Sequence, residues 1–379
     1  MGKCVKQKFE RMIILNLTPY LDDIESRINV IQEERLEQEW LNFADGKHNE
    51  MVFDPKRIPS EPTIEYPPMI INHAFTREDW MVYQQLKSVS DAMAGTQGIL
   101  LSIRPNYGTG IIPSMFDAPM FFLDDNMNTL PCTHFLADGQ AAIERILEKK
   151  EMNFSKGLAK SVFTFGEIYK EAIKDYPLIS RYVHVYNPDL QGPFPLIDAL
   201  WGSEIYTALY DEEDLLHEGL TFMTDVYLEF INRWQTLFPS FDKDHSIEWG
   251  LLHKGRVIIR NDACMNISGN MYREFVMPYD QRILSTVGGG IHFCGRGDHY
   301  VDILCGMENI GCLNISQPYL NDMEIVYKAS VDQGIPIIGV PDDEVKRALK
   351  IGRDLHGLVH AGASLAAWEK GSNVNSEDA

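Results

Sequence analysis

His292-Phe293-Cys294 places an imidazole and a thiol two positions apart, behind the glycine run Gly288-Gly289-Gly290. If Gly290–Phe293 is a strand, residues two apart face the same side, and both side chains emerge together where the strand ends. An imidazole nitrogen beside a thiolate sulfur is a borderline-soft donor pair that suits zinc. Two donors do not complete a metal site, so the rest of the chain must bring a third.

Other chemistry-bearing residues also follow apolar runs. Asp262 comes after Arg256–Ile259, where a carboxylate can orient a ligand imidazole or move a proton, or can simply cap the next helix. Asp189 and Gln191 lie in the turn Asp189-Leu-Gln-Gly-Pro193, with either a pocket-facing role or a turn-building one. These three are the candidate catalytic residues. Arg104, Asn106 and Tyr107 follow Gly98–Ile103 and could hold an anionic or aromatic substrate group, the alternative being a surface loop. Gln317, after Cys312–Ile315, joins them as a candidate substrate-binding residue.

Positioning these residues requires a common scaffold. Eight short β-type runs recur: Met69–Ile71, Gly98–Ile103, Arg181–Tyr186, Arg256–Ile259, Gly290–Phe293, Cys312–Ile315, Ile335–Val340 and Gly357–His360. Helical stretches such as Asp211–Leu237, Tyr272–Ser285 and Glu344–Asp354 separate them. Continuous apolar runs suit a parallel sheet covered on both faces, and eight of them predict an α/β fold, a (β/α)8 TIM-type barrel. A Rossmann fold is disfavoured because no Gly-x-Gly-x-x-Gly follows any run. Catalytic groups of such barrels sit at the C-terminal strand ends, which would gather the scattered candidates into one ring.

Before the barrel, the spacing of Ile24, Ile28, Ile31, Leu36 and Trp40 predicts an acidic amphipathic helix over about Leu21–Asn42. Five prolines between Phe53 and Pro68 mark an extended connection. The expected organisation is a helical extension with its linker over 1–66, a barrel over 67–370 and a polar tail over 371–379.

A formal net charge of -21 argues against nucleic-acid binding, since a surface that tracks phosphates must be basic. Six dispersed cysteines in so long a chain are not a disulfide framework and fit a reducing cytoplasmic compartment. No apolar run approaches the roughly 18 residues of a membrane span. The start Met1-Gly2-Lys3-Cys4 has Lys6 where a myristoylation signal wants Ser or Thr.

Several segments, in order, resemble the uroporphyrinogen decarboxylase superfamily. They are Asn187-Pro-Asp-Leu-Gln-Gly-Pro193 with Leu200-Trp-Gly202, the stretch from Tyr206 through Asp211-Glu-Glu213, and Asn261-Asp-Ala263 with Ser268 and Tyr272-Arg-Glu-Phe-Val-Met-Pro-Tyr279. His292-Phe-Cys-Gly295 and Leu358-Val-His-Ala-Gly-Ala-Ser-Leu365 complete the series. The resemblance spans about Met69–Trp368 and implies a distorted (β/α)8 barrel. The arginine-rich stretch ending in Gln-Ala-Gly-Arg that marks the true decarboxylases is missing, and His-x-Cys points to the corrinoid-dependent methyltransferase branch. That branch implies a zinc held by His292, Cys294 and a third ligand near the end of the last strand. There this chain carries His360 instead of a cysteine, so His360 is expected to be the third ligand.

The resemblance implies an enzyme, a zinc-assisted methyltransferase that moves a methyl group between a small-molecule donor or acceptor and a corrinoid carried by a partner protein. Members also act on methoxylated or methylamine-type donors. A cofactor-free decarboxylase of a carboxylated tetrapyrrole is the alternative activity. A tetrapyrrole- or corrinoid-binding protein without turnover is the alternative outside catalysis. A homodimer is compatible with any of these.

Overall fold

The computed structural model describes residues 15–362. The Met1–Cys4 start, the tail 371–379 and the Ala363–Leu365 end of the closing stretch lie outside the described residues.

The strands are β1 (Ser102–Ile103), β2 (Met120–Phe121), β3 (Cys132–Thr133), β4 (His184–Val185), β5 (His245–Glu248), β6 (Leu251–Lys254), β7 (Val257–Arg260), β8 (Gly289–Phe293), β9 (Ile310–Ile315), β10 (Ile337–Val340) and β11 (Val359–Ala361). Five of them form one parallel sheet in the order β11-β10-β9-β8-β7. A separate parallel pair joins β1 to β4, and a parallel bridge between Gln191 and Arg260 links the segment after β4 to β7. The fold is therefore mixed α/β, with a five-stranded parallel sheet rather than an eight-stranded one among the described residues. Met69–Ile71, expected as the first strand, joins no strand pair; its last residue starts the helix Ile71–Phe75, with Met69 and Ile70 between it and Pro67-Pro68.

Sheet register puts functional side chains in rows. Arg260 pairs with His292 and His292 with Asn314, so these three lie abreast on one face. Two residues further along each chain come Asp262, Cys294 and Ser316, which continue on that face where the strands end.

The glycine run serves packing. Gly289 has φ +149, and a Cβ there would stand 2.0 Å from the Val257 carbonyl oxygen. At Gly290 a Cβ would meet the Cys312 sulfur at 2.4 Å. Only glycine lets β8 lie this close to its neighbours.

β5 and β6 form an antiparallel hairpin with Glu248 opposite Leu251. Its two-residue tip, Trp249-Gly250, has φ of +53 and +77, the left-handed pair that a tight hairpin turn demands. The Gly250 carbonyl accepts from Leu100 N at 2.9 Å, just before β1. The hairpin tip thus lies beneath the row of strand-end residues, with the Trp249 ring 5.5 Å from that of His292.

The expected N-terminal helix is two, α1 (Thr18–Arg27) and α2 (Val30–Ala44). Asn29 divides them: it is extended, and its side chain caps α2 by accepting from Gln32 N. The break turns Ile31 out to solvent while Leu36 and Trp40 stay buried. The indole of Trp40 donates to the Gly98 carbonyl at 2.8 Å. A buried Arg57–Glu33 pair ties the proline-rich connection to α2. The stretch Tyr272–Ser285 is likewise two helices, Gly269–Phe275 and Met277–Val287, and Pro278 opens the second. No described helix is long and apolar enough to cross a membrane.

Candidate metal centre

Asp262, His292 and Cys294 each offer a donor atom, and those atoms all lie within 4.8 Å of one another. His292 Nε2 is 3.4 Å from Cys294 Sγ and 3.3 Å from Asp262 Oδ1. Zinc bond lengths of about 2.0–2.3 Å in a tetrahedron put neighbouring N, O and S donors roughly 3.3–3.6 Å apart. The three residues fit such an ion, and a three-ligand set leaves a fourth position for substrate.

Neighbours fix each donor. The Asn314 amide donates to the Ile338 carbonyl at 2.8 Å, which turns its oxygen toward His292. His292 Nδ1 donates to that oxygen at 2.6 Å, so Nε2 is the atom presented to Asp262 and Cys294. Gln191 Nε2 donates to Asp262 Oδ2 at 2.7 Å, leaving Oδ1 toward the imidazole. Ser316 Oγ lies 3.5 Å from Cys294 Sγ. Gly295 N donates to Gln317 Oε1 at 2.6 Å, holding the loop beyond the cysteine.

Electrostatics agree with a cation site. Burial opposes a charge on His292, yet hydrogen bonding to Asp262 and Cys294 wins and pushes its pKa up to about 10. Burial would likewise raise Asp262, but the imidazole and Gln191 hold it well below the usual carboxylate range. The trio stabilises positive charge at its centre, whether a proton or a metal ion carries it.

A second network stands beside the trio. Asp189 is held by Arg104 at 2.9 Å and by Arg260 at 2.6 Å. Arg260 also reaches Glu248 at 3.1 Å and lies over the Trp249 ring, 4.7 Å from its centroid. Burial pushes Glu248 up to about 7, against the pull of Arg260 and Asn187.

The expected site residues are thus divided. Asp262, Gln191, His292 and Cys294 come together, while Asp189 and Arg104 form the adjoining ion network. Gln317 braces the Cys294 loop. Asn106 turns toward Gln84. Tyr107 is fully buried with its ring 5.3 Å from that of Phe75.

His360 is not in the donor set. Its ring packs 4.6 Å from Trp40 and 5.7 Å from Phe53, and Nδ1 accepts from Gly339 N at 3.1 Å. Burial among these rings, with a smaller contribution from Lys56, lowers its pKa to about 3. His360 is a neutral core histidine, and among the described residues Asp262 is the third donor group standing beside His292 and Cys294. Asn314, Ser316, Arg260, Glu248 and Trp249 belong to the site although nothing in the motif reading singled them out. Asn314 was detectable as a polar residue inside the apolar run Cys312–Ile315, two places before Ser316.

Asn314→Leu keeps the volume but removes the acceptor for Nδ1. Zinc affinity is expected to fall about 10–100-fold, read by competition with a chromophoric chelator, while Asn314→Asp retains most of it.

Behind the site, Asn261 N donates to the His292 carbonyl at 2.8 Å. Its side chain and the Tyr272 hydroxyl both donate to Asp280 Oδ2, at 2.5 and 3.1 Å. Complete burial outweighs these bonds and pushes Asp280 up to about 7. A carboxyl raised in the folded state gives stability that is complete below its unfolded pKa and is lost as pH rises through the folded one. This group is expected to cost up to about 4 kcal/mol between pH 4 and 8. Asp280→Asn should flatten that fall in urea-unfolding midpoints; an unchanged pH slope would show that the carboxyl is not responsible.

No protein-family model matches the chain, and no curated protein matches it. Among solved structures, a methyltransferase from Methanosarcina mazei is similar in fold, with a TM-score of 0.59. The likeness covers 87% of this chain and 93% of that one, at 15% sequence identity. At that identity the likeness concerns architecture.

Proposed function

We propose that this chain is a methyltransferase of the corrinoid-dependent branch of the uroporphyrinogen decarboxylase superfamily, with zinc held by Asp262, His292 and Cys294. The observation that carries the reading is the donor geometry of those three side chains at the ends of neighbouring parallel strands. The likeness in fold to a protein named as a methyltransferase supports it. We read the scaffold as one ring over 67–370, preceded by the extension 1–66. The backbone bridge of Gln191 to Arg260, outside the main sheet, supports it, while the bridges of Phe53 to His360 and Lys56 to Gln97 tie the extension to the ring.

When bound, the zinc would supply Lewis acidity that keeps a substrate thiol deprotonated at neutral pH. The chain's own residues do the rest. Asn314 holds the imidazole in one tautomer, and Gln191 holds the carboxylate, so the donor set needs no rearrangement. The Trp249 ring forms an apolar wall beside His292 that shields the reacting centre from water. The strand-end face would hold the small substrate and receive a partner protein, whose corrinoid would supply or accept the methyl group.

The test mixes zinc-loaded protein with methylcobalamin and small thiols, and follows the corrinoid spectrum. Demethylation that depends on Cys294 is expected. A second arm offers methoxylated and methylamine donors to reduced, unmethylated cob(I)alamin. No demethylation by any thiol in the first arm and no methylation by any donor in the second would remove the methyltransferase reading. Carbon dioxide released from a carboxylated tetrapyrrole would replace it with the decarboxylase one, and tight tetrapyrrole binding without turnover with the carrier one.

A further inference from the structure

A cavity of about 560 Å³ lies at the opposite end of β7 from the metal centre. Arg256 immediately precedes that strand and Asp262 follows it, so the two sites are separated by its length. Three guanidinium groups line the cavity, from Arg233, Arg256 and Arg282. This is unusual in a chain with 34 basic and 55 acidic residues.

The charges there do not cancel. Arg282 pairs with Asp225, and Arg233 with Glu229 at 2.6 Å. Arg256 instead has a neutral anchor: its Nε donates to the Gln235 amide oxygen at 2.7 Å. An arginine oriented by an amide keeps its full charge for an incoming anion. Half-buried Met152 and Leu228 supply an apolar wall, while buried Phe154 holds Arg233 4.5 Å over its ring. Exposed Thr286 stands at the rim, its hydroxyl donating to the Arg282 carbonyl at 2.7 Å.

We infer that this cavity binds a small organic phosphate, its phosphoryl group on Arg256 and its apolar body against Met152 and Leu228. Asp225 and Glu229 also line the space and occupy one edge each of Arg282 and Arg233. The anion therefore meets Arg256 first, with the outer edges of the other two guanidinium groups around it. A phosphoryl group, whose acceptor edges face several directions, suits this better than a carboxylate, which presents one. The volume suits a ligand of mononucleotide size. The inference is independent of the chemistry at Cys294.

Calorimetric titration of the full chain with AMP, p-nitrophenyl phosphate and inorganic phosphate tests it, with adenosine and benzoate as controls. Saturable binding of at least one phosphate monoester is expected, weakened about tenfold or more by Arg256→Gln and by Thr286→Glu. The second variant places a carboxylate at the rim without touching the Arg256–Gln235 contact, so a folding defect in the first cannot mask the result. Zinc content should be unchanged in both. No saturation by any of the three phosphates up to about 10 mM, or equal binding in both variants, overturns the inference. Tighter binding of benzoate than of the phosphates overturns the choice of phosphate.

Discussion

Zinc-loaded protein is expected to retain about one ion per chain after dialysis, and Cys294→Ala or His292→Ala to retain less than about a tenth of that. The expectation rests on donor count. Three side-chain donors lie within 4.8 Å of one another, with the imidazole at tetrahedral spacing from the other two, and truncating one leaves two, too few for a stable protein site. Asp262→Ala should behave like the other two, because its carboxylate is the third donor. His360→Leu is the discriminating control: its imidazole accepts from Gly339 N inside an aromatic cluster, so zinc content should not change. Elemental analysis of the five proteins decides. Zinc retained by both the Cys294 and His292 variants would remove the metal centre, and zinc lost from the Cys294, His292 and His360 variants but kept by Asp262→Ala would restore the ligand set read from the sequence.

Arg260→Ala is expected to destabilise the fold by about 3–5 kcal/mol, the largest stability loss from any single truncation near the site. The guanidinium is 4% exposed and serves two carboxylates, Asp189 and Glu248. Removing it leaves both in low dielectric with less compensation, and also strips the cation from the Trp249 face. Removing an acid from the same network should cost less. Glu248 is already pushed up to about 7 by burial, so it is partly neutral near physiological pH. Glu248→Gln keeps one carbonyl acceptor, for Arg260, and turns its NH2 toward the Asn187 amide, so it is expected to cost about 1–2 kcal/mol. Urea unfolding of the two variants gives the comparison. Similar losses for both would show that the network is not organised around the arginine.

The sequence made the centre of the site legible because its signal is local. His292 and Cys294 share one strand, and a spacing of two on a strand puts them on one face. Asp262 was visible as a strand-end carboxylate, yet its role depends on how β7 and β8 align, and register between strands leaves no mark in either one. The same holds for Asn314, which meets His292 only because β9 lies beside β8.

His360 shows the opposite case. It stands on the expected strand, but alternation decides which side a residue faces, and Phe53 and Trp40 cover that side. Two of the helix boundaries turned on single residues, Asn29 as a cap and Pro278 at a first turn. Periodicity alone runs through both positions, since the apolar spacing continues across them. Met69–Ile71 had strand composition but joins no strand pair, and composition cannot reveal a missing neighbour.

Trp249 gives the molecule a built-in optical reporter. It is one of six tryptophans, and the only one among the described residues whose ring contacts an imidazole of the trio. A protonated imidazole beside an indole quenches its emission, and coordination of that nitrogen by zinc would replace the quencher. Filling of the centre can therefore be followed by fluorescence in the unmodified protein, with Trp249→Phe as the blank.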